Sequence, residues 1–584
     1  MVDRSDPPRA CGARIFHRFC ANVGLGAADL HTFLISPYVR PSPKSRYFLF
    51  SFITLALFLG LAEIICRILF VTPGTCDFIE RRIIEQGLGK YKSSGEFRIF
   101  LYGESTMQGD ALSPKSTIEK WISIYLEDLL GKQTAQKVKI YNLARCGSNS
   151  HFIAKSFFNT VNYKPDLAVF YTAHNDFVQL DNRHSNFNPK PLTFGQRGFL
   201  ENRGWHWVKQ SALASELVRL HIRFKIAQHE RKDKFKKESA PVIETWDKFY
   251  NPQYDAIVHN SSIFETIFSN WVGNVYQIVR VAQTRKIPAI FLEAVSNLKE
   301  YRPNESVHRA SLDAAKLSRW KSLDRQAENA FFAKDYRRAF RFYQRCLSLD
   351  PEYALTYYRL GQCYENFSLS EKANQFYLTA NDKDRVPLRA PSEVNQFYDG
   401  LDQLHLEDIT VIKTQSLFEK SSPSGIVDGH LILDTMHPSI EGQALIALEI
   451  VKLIYDKGLI ASRESWRWNE LGPKEDYINK LGLDKDFEFG VYLNKAIFVG
   501  RFYDKAIEYS KKALAIKPDS IEAKRELAWA YWRKGDVEEA VWLYAELYEE
   551  LPEEISEVFR KYPSLGCAVS VARRRPAIPV TTQI

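Results

Sequence analysis

Five residues have the types and neighbours needed for nucleophilic attack on a carbonyl. Ser105 stands in RIFLYGESTMQGD, where the apolar run Arg98-Ile99-Phe100-Leu101-Tyr102 stops without a turn-rich spacer and delivers Gly103, Glu104 and Ser105 at its end. A hydroxyl there is a nucleophile if a base reaches it and a helix cap if none does. A base is offered far downstream in LILDTMHPSIEGQALIALEIVKLI, where Asp434 and His437 are three apart. They precede a helix expected to begin near Pro438 and run to Ile454. That offset lets the carboxylate hold Nδ1–H and leave Nε2 facing outward; beside a proline, His437 also reads as a solvated loop residue. Two neutral donors complete the set. Gly147, in NLARCGSNS, brings the backbone N–H close, and Asn175, in TAHND, offers an uncharged side-chain amide.

These residues converge only if a sheet brings their segments side by side. The first apolar run is followed by Val138–Leu143, Asp166–Asp176, Ile287–Asn297 and Ile409–Gln415, which read as strands separated by helical segments. Apolar strands with little alternation predict a parallel sheet covered on both faces, with ligands at the carboxyl ends of its strands. The fold class expected is α/β. Between the third and fourth strands, residues 181–285 form a long insertion with an amphipathic helix over Ser211–Ala227, placed to be a cap or a structural decoration.

The order and content of these blocks resemble the SGNH (GDSL-type) hydrolase superfamily, a flavodoxin-like parallel-sheet fold. The resemblance covers 96–305 and 386–456. It implies that Ser105 is the nucleophile, His437 the general base and Asp434 its orienter. The oxyanion hole would be the N–H groups of Ser105 and Gly147 with the Asn175 amide, and no cofactor or metal would be needed. The sequence departs from the family pattern twice: Glu104 replaces the usual aspartate of Gly-Asp-Ser, and Ala173 replaces the glycine of Gly-x-Asn-Asp, with His174 before Asn175. The first change keeps a carboxylate; the second is harmless unless that position needs a positive φ. Membrane-tethered proteins similar to this one include O-acetyltransferases and deacetylases of surface polysaccharides, which suggests an O-acylated glycan as the acyl-ester substrate.

Two segments repeat internally with a period of 34 residues: Ala339, Tyr343 and Cys346 recur as Ala373, Tyr377 and Ala380, and Ala506, Ala513 and Pro518 as Ala540, Leu547 and Pro552. Small residues at helix crossings, with proline closing the second pair, resemble tetratricopeptide repeats (TPR), at 322–384 between the fourth and fifth strands and at 488–553 after the sheet. Two repeats are too few to stand alone, so each pair is expected to pack on the sheet domain or on the other pair. They imply a protein or peptide partner. A scaffold with an inactive sheet domain is therefore the competing function.

The chain has 584 residues, enough for several domains. Its net charge of +9 is spread along the sequence, and the one dense basic run, 231–237, is broken by Asp233, so a solvated helix face is expected rather than nucleic-acid binding. Residues 1–46 are basic, and Tyr47–Phe70 is apolar enough to span a bilayer once. The basic flank keeps the tail in the cytoplasm and places the catalytic domain on the extracytoplasmic side. Residues 567–584 read as a loose tail. Among eight cysteines no spacing suits a metal, while Cys346 and Cys363 are close enough for a disulfide or for two buried thiols. Asp110, Asp176 and Asp434 lie on different loops without metal-ligand spacing, which leaves a metallophosphoesterase as a distant alternative.

Overall fold

The computed structural model describes Thr54 and residues 78–109, 115–178, 262–499 and 502–573. All but Thr54 belong to one compact unit, Cys76–Glu201 with Arg219–Ile584. The second unit, Met1–Thr75 with Asn202–Val218, includes the expected anchor 47–70, which apart from Thr54 lies outside the described residues. Among the described residues no helix is long and apolar enough to cross a membrane. The predicted helix 211–227 and most of the 181–285 insertion also lie outside them; the insertion's last part is the helix Ser262–Arg285.

Five strands form one sheet: β1 (Phe97–Gly103), β2 (Val138–Asn142), β3 (Leu167–Tyr171), β4 (Ala289–Leu292) and β5 (Ile409–Ile412). Their order is β2-β1-β3-β4-β5 and every pairing is parallel. All residues of β3 and β4 are buried, as strands covered on both faces must be. On one face Ile99, Leu101, Val169 and Leu292 pack with the helices Ile118–Leu130 and Ile440–Asp456. The other face carries an aromatic ladder, Tyr102 stacked on Phe170 and Phe170 on Phe291, each pair 5.0 Å apart. Strand order reverses at β1, so the crevice beyond the carboxyl ends of β1 and β3 is the natural binding position.

Gly103 closes β1 because nothing larger fits: a Cβ there would lie 2.5 Å from Met107 Cβ and 2.6 Å from the Tyr171 carbonyl. β2 to β5 are shorter than the apolar runs suggest, while β1 extends one residue beyond its run at each end. Beyond β4, Ala294 N–H donates to Asn395 Oδ1 and Asn297 N–H to the Thr435 carbonyl. Those residues are buried, yet their hydrogen bonds go to loops and side chains rather than to a neighbouring strand.

Each repeat pair packs on the sheet domain. The first comprises the helices Ala314–Phe332, Tyr336–Leu349, Ala354–Asn366 and Ser370–Asp382. Its Tyr358, Ala373, Tyr377 and Ala380 share a core with Leu298 and Ile426. The second comprises Lys485–Phe498, Tyr503–Ile516, Ile521–Lys534 and Val537–Glu550, and its Ala496, Val499, Ala506 and Tyr509 close around Tyr301. Residues 567–573, expected to be part of a loose tail, instead belong to a helix, Pro563–Arg573, which buries Leu565 and Val569 against the last repeat. Cys346 and Cys363 are buried free thiols.

Candidate active site

Ser105 opens a four-residue helix, Ser105–Gln108, at the carboxyl end of β1. The cap position belongs to Glu104, whose side chain makes no capping bond, so the serine hydroxyl is not a helix cap. Its partner is His437, whose Nε2 lies 2.8 Å from Ser105 Oγ across 332 residues of chain. His437 is not a solvated loop residue.

The histidine is held by a closed loop. Ile432 and Pro438 form an antiparallel bridge, and Leu433 N–H donates to the His437 carbonyl at 2.8 Å. Inside it, Asp434 Oδ1 accepts from the N–H groups of Met436 and His437, both at 2.9 Å, while Oδ2 faces His437 Nδ1 at 2.8 Å. A carboxylate on Nδ1 assigns the proton to that nitrogen and leaves the Nε2 lone pair for the serine proton. Burial opposes ionisation of Asp434. The charges of His437 and Lys495 and the hydrogen bonds from His437 and Met436 N–H outweigh it and hold the carboxyl well below the usual range. Asn297 buttresses the loop from the β4 side, donating from Nδ2 to the Ile432 carbonyl at 3.1 Å.

The two remaining predicted residues join the same rim through Ser148. Its hydroxyl bonds to the Gly103 carbonyl at 3.1 Å and the Arg145 carbonyl at 2.8 Å, which ties the β2 loop to the end of β1. Gly147 next to it has φ +69, a conformation that suits glycine. Asn175 Nδ2 donates to the Ser148 carbonyl at 2.9 Å; this orients the amide and uses one of its two hydrogens. The residue that sequence reasoning passed over here is Ser148, directly after Gly147 in the quoted block.

Glu104 does more than preserve a carboxylate. It is fully buried and crosses to the β3 loop, where Oε1 accepts from the Thr172 hydroxyl and Ala173 N–H and Oε2 from Asn175 N–H. Ala173, clamped by it, has φ +139, so the position that is usually glycine does require an unusual backbone here and alanine occupies it under strain. Burial, with the charge of Asp176, pushes the Glu104 carboxyl up to about 8 against the pull of its three donors. A folded-state value above the unfolded one gives a contribution to stability that is full below about 4.5 and is lost as pH rises through about 8. In Glu104→Gln the amide nitrogen cannot accept from Asn175 N–H. That variant is expected to lose about 2 kcal/mol, the cost of one buried unpaired donor, together with this pH dependence; denaturant melts from pH 4 to 9 measure both.

His174 is buried between these loops, its Nδ1 accepting from Ala390 N–H at 3.1 Å. Burial and the neighbouring His437 charge push it down to about 3, so it stays a neutral structural group. Asp176 and Asp434 are both engaged in protein hydrogen bonds, Asp176 with Ser150 N–H at 3.0 Å and Ser150 Oγ at 2.6 Å, which argues against their acting as metal ligands. Asp110 lies outside the described residues. Among the described residues no group of three or more His, Cys, Asp or Glu is arranged to hold a metal.

Residues 503–560 match the family model described as tetratricopeptide repeat. Among curated proteins, none matches the chain. Solved structures similar to it include a GDSL-like lipase from Bacteroides thetaiotaomicron, 10% identical over 65% of this chain and 98% of that one, with a TM-score of 0.27. An acetyl xylan esterase is 9% identical over 61% of this chain and 100% of that one, with a TM-score of 0.25. YrrB, described as a TPR protein with an unusual peptide-binding site, is 15% identical over 41% of this chain and 90% of that one, with a TM-score of 0.13.

Proposed function

We propose that the protein is a serine esterase of the SGNH type that works through an acyl-enzyme. The observation that carries this reading is the unbroken relay from Asp434 Oδ2 to His437 Nδ1 and from His437 Nε2 to Ser105 Oγ, each step 2.8 Å. His437 takes the serine proton as Oγ bonds to the acyl carbon. The carbonyl oxygen gains the negative charge, which the N–H groups of Ser105 and Gly147 and the free hydrogen of the Asn175 amide receive. His437 then returns the proton to the departing alcohol. Water, deprotonated by the same nitrogen, releases the acid and restores the serine; a sugar hydroxyl in place of water gives acyl transfer instead.

The membrane anchor at 47–70, the extracytoplasmic site and the O-acylated surface glycan belong to the same proposal. They are supported by the apolar run with its basic flank and by the resemblance described above. The repeat pairs would hold a protein or peptide partner. Purified full-length protein is expected to release p-nitrophenol from p-nitrophenyl acetate and acetate from an acetylated oligosaccharide. Adding an acceptor glycan separates hydrolysis from transfer by the product formed. Inertness toward every acyl ester and activated acyl donor would sink the reading.

A further inference from the structure

The C-terminal repeat pair supplies a charge to the back of this site. Lys495 lies in its first helix, Lys485–Phe498, at the helical spacing of Val491 and Val499, which face the core. The side chain is 2% exposed, and Nζ makes no hydrogen bond among the described residues. Its nearest anion is Asp434 Oδ2 at 3.9 Å, the same oxygen that faces His437 Nδ1. An ammonium this deep is unfavourable unless an opposite charge compensates it, and an apolar residue would have served packing alone.

Its surroundings are specific. From the sheet domain the charges of Asp434 and Glu300 act on it; from the next repeat helix come Lys505, Lys512 and Tyr509, whose ring centroid is 5.1 Å from Nζ. The same seam fixes the acid's loop, because the hydroxyls of Tyr509 and Tyr301 both donate to the Leu433 carbonyl, at 2.6 and 3.3 Å. Lys505 closes the seam on Glu300 at 2.9 Å.

We propose that Lys495 is a positioning residue of the reaction: its charge neutralises Asp434 from behind, so that His437 need not be protonated to do so and remains available to take the Ser105 proton. This inference rests on the esterase reading. Without Lys495 the only counter-cation for Asp434 among the described residues is an imidazolium, the form of the base that can accept no proton. The repeat then completes the active site, and its docking on the Asp434 loop is a condition of activity at mildly acidic pH. A lysine that merely filled space would be replaced by methionine with no change in how the base titrates.

Two readouts on the full chain test this. One is the acid limb of the kcat/KM profile for p-nitrophenyl acetate; the other is the ring ¹⁵N NMR titration of His437, identified as the signal lost in His437→Gln. Lys495→Met is expected to raise both midpoints by about one pH unit, the low end of what a neighbouring charge does. Unchanged midpoints in folded Lys495→Met overturn the proposal. Should that variant not fold, Lys495→Gln takes its place: it removes the charge and keeps a polar group beside Asp434, and unchanged midpoints in it overturn the proposal equally. Ester turnover without the NMR effect refutes the lysine's role and leaves the esterase; inertness toward every acyl ester refutes the esterase reading and with it the lysine's part in the reaction.

Discussion

Ser105→Ala is expected to lower ester turnover by at least about 10⁴-fold while leaving the fold intact, because the residue that forms the covalent bond is gone. The hydroxyl is one small group at the start of a short helix, and its one partner among the described residues is His437 Nε2, a side chain that remains held by Asp434. Thermal stability should therefore move by less than about 1 kcal/mol, the worth of an ordinary hydrogen bond. Steady-state kinetics on p-nitrophenyl acetate beside a melting curve separate the two effects. A variant that keeps a tenth of wild-type activity would mean that Ser105 does not attack the substrate.

Asp434→Asn should be nearly as damaging to activity, by about 10³- to 10⁴-fold in kcat with little change in KM, and for a different reason. The amide oxygen can still accept from Met436 and His437 N–H, but its NH₂ would face His437 Nδ1. The ring then takes the opposite tautomer, with Nε2–H pointing at Ser105, and has no lone pair for the serine proton. The variant also removes the anion 3.9 Å from buried Lys495, which should cost about 3 kcal/mol of stability. Ser105→Ala predicts no such loss, so the pair distinguishes loss of the nucleophile from loss of its electrostatic support.

The local features of this site were readable from sequence; those built by contact between distant segments were not. The apolar run before Gly103, the three-residue offset of Asp434 and His437, and the donors at Gly147 and Asn175 are encoded in neighbouring residues. The strand ends were overread at β3 and β4 because residues 172–176 and 294–297 are as buried as a strand, yet their hydrogen bonds leave the ladder. Thr172, Ala173 and Asn175 turn to Glu104, and Ala294 and Asn297 to partners around residues 395 and 435. The Glu104 clamp and the positive φ of Ala173 depend on the β1 and β3 loops meeting, which no single stretch reveals. Lys495 left one trace: a lysine at a core-facing position of an otherwise apolar helix face, between Val491 and Val499. What that trace could not name was the carboxylate it faces, which comes from the other side of a domain seam.

The most direct measurement is covalent labelling of the full chain with a fluorophosphonate, followed by peptide mass spectrometry. The geometry of Ser105, His437 and Asp434 predicts one adduct per chain, on Ser105, absent in Ser105→Ala and formed far more slowly in His437→Ala. A folded wild-type protein that takes up no label, or that carries it on another residue while Ser105 stays unmodified, would contradict the account.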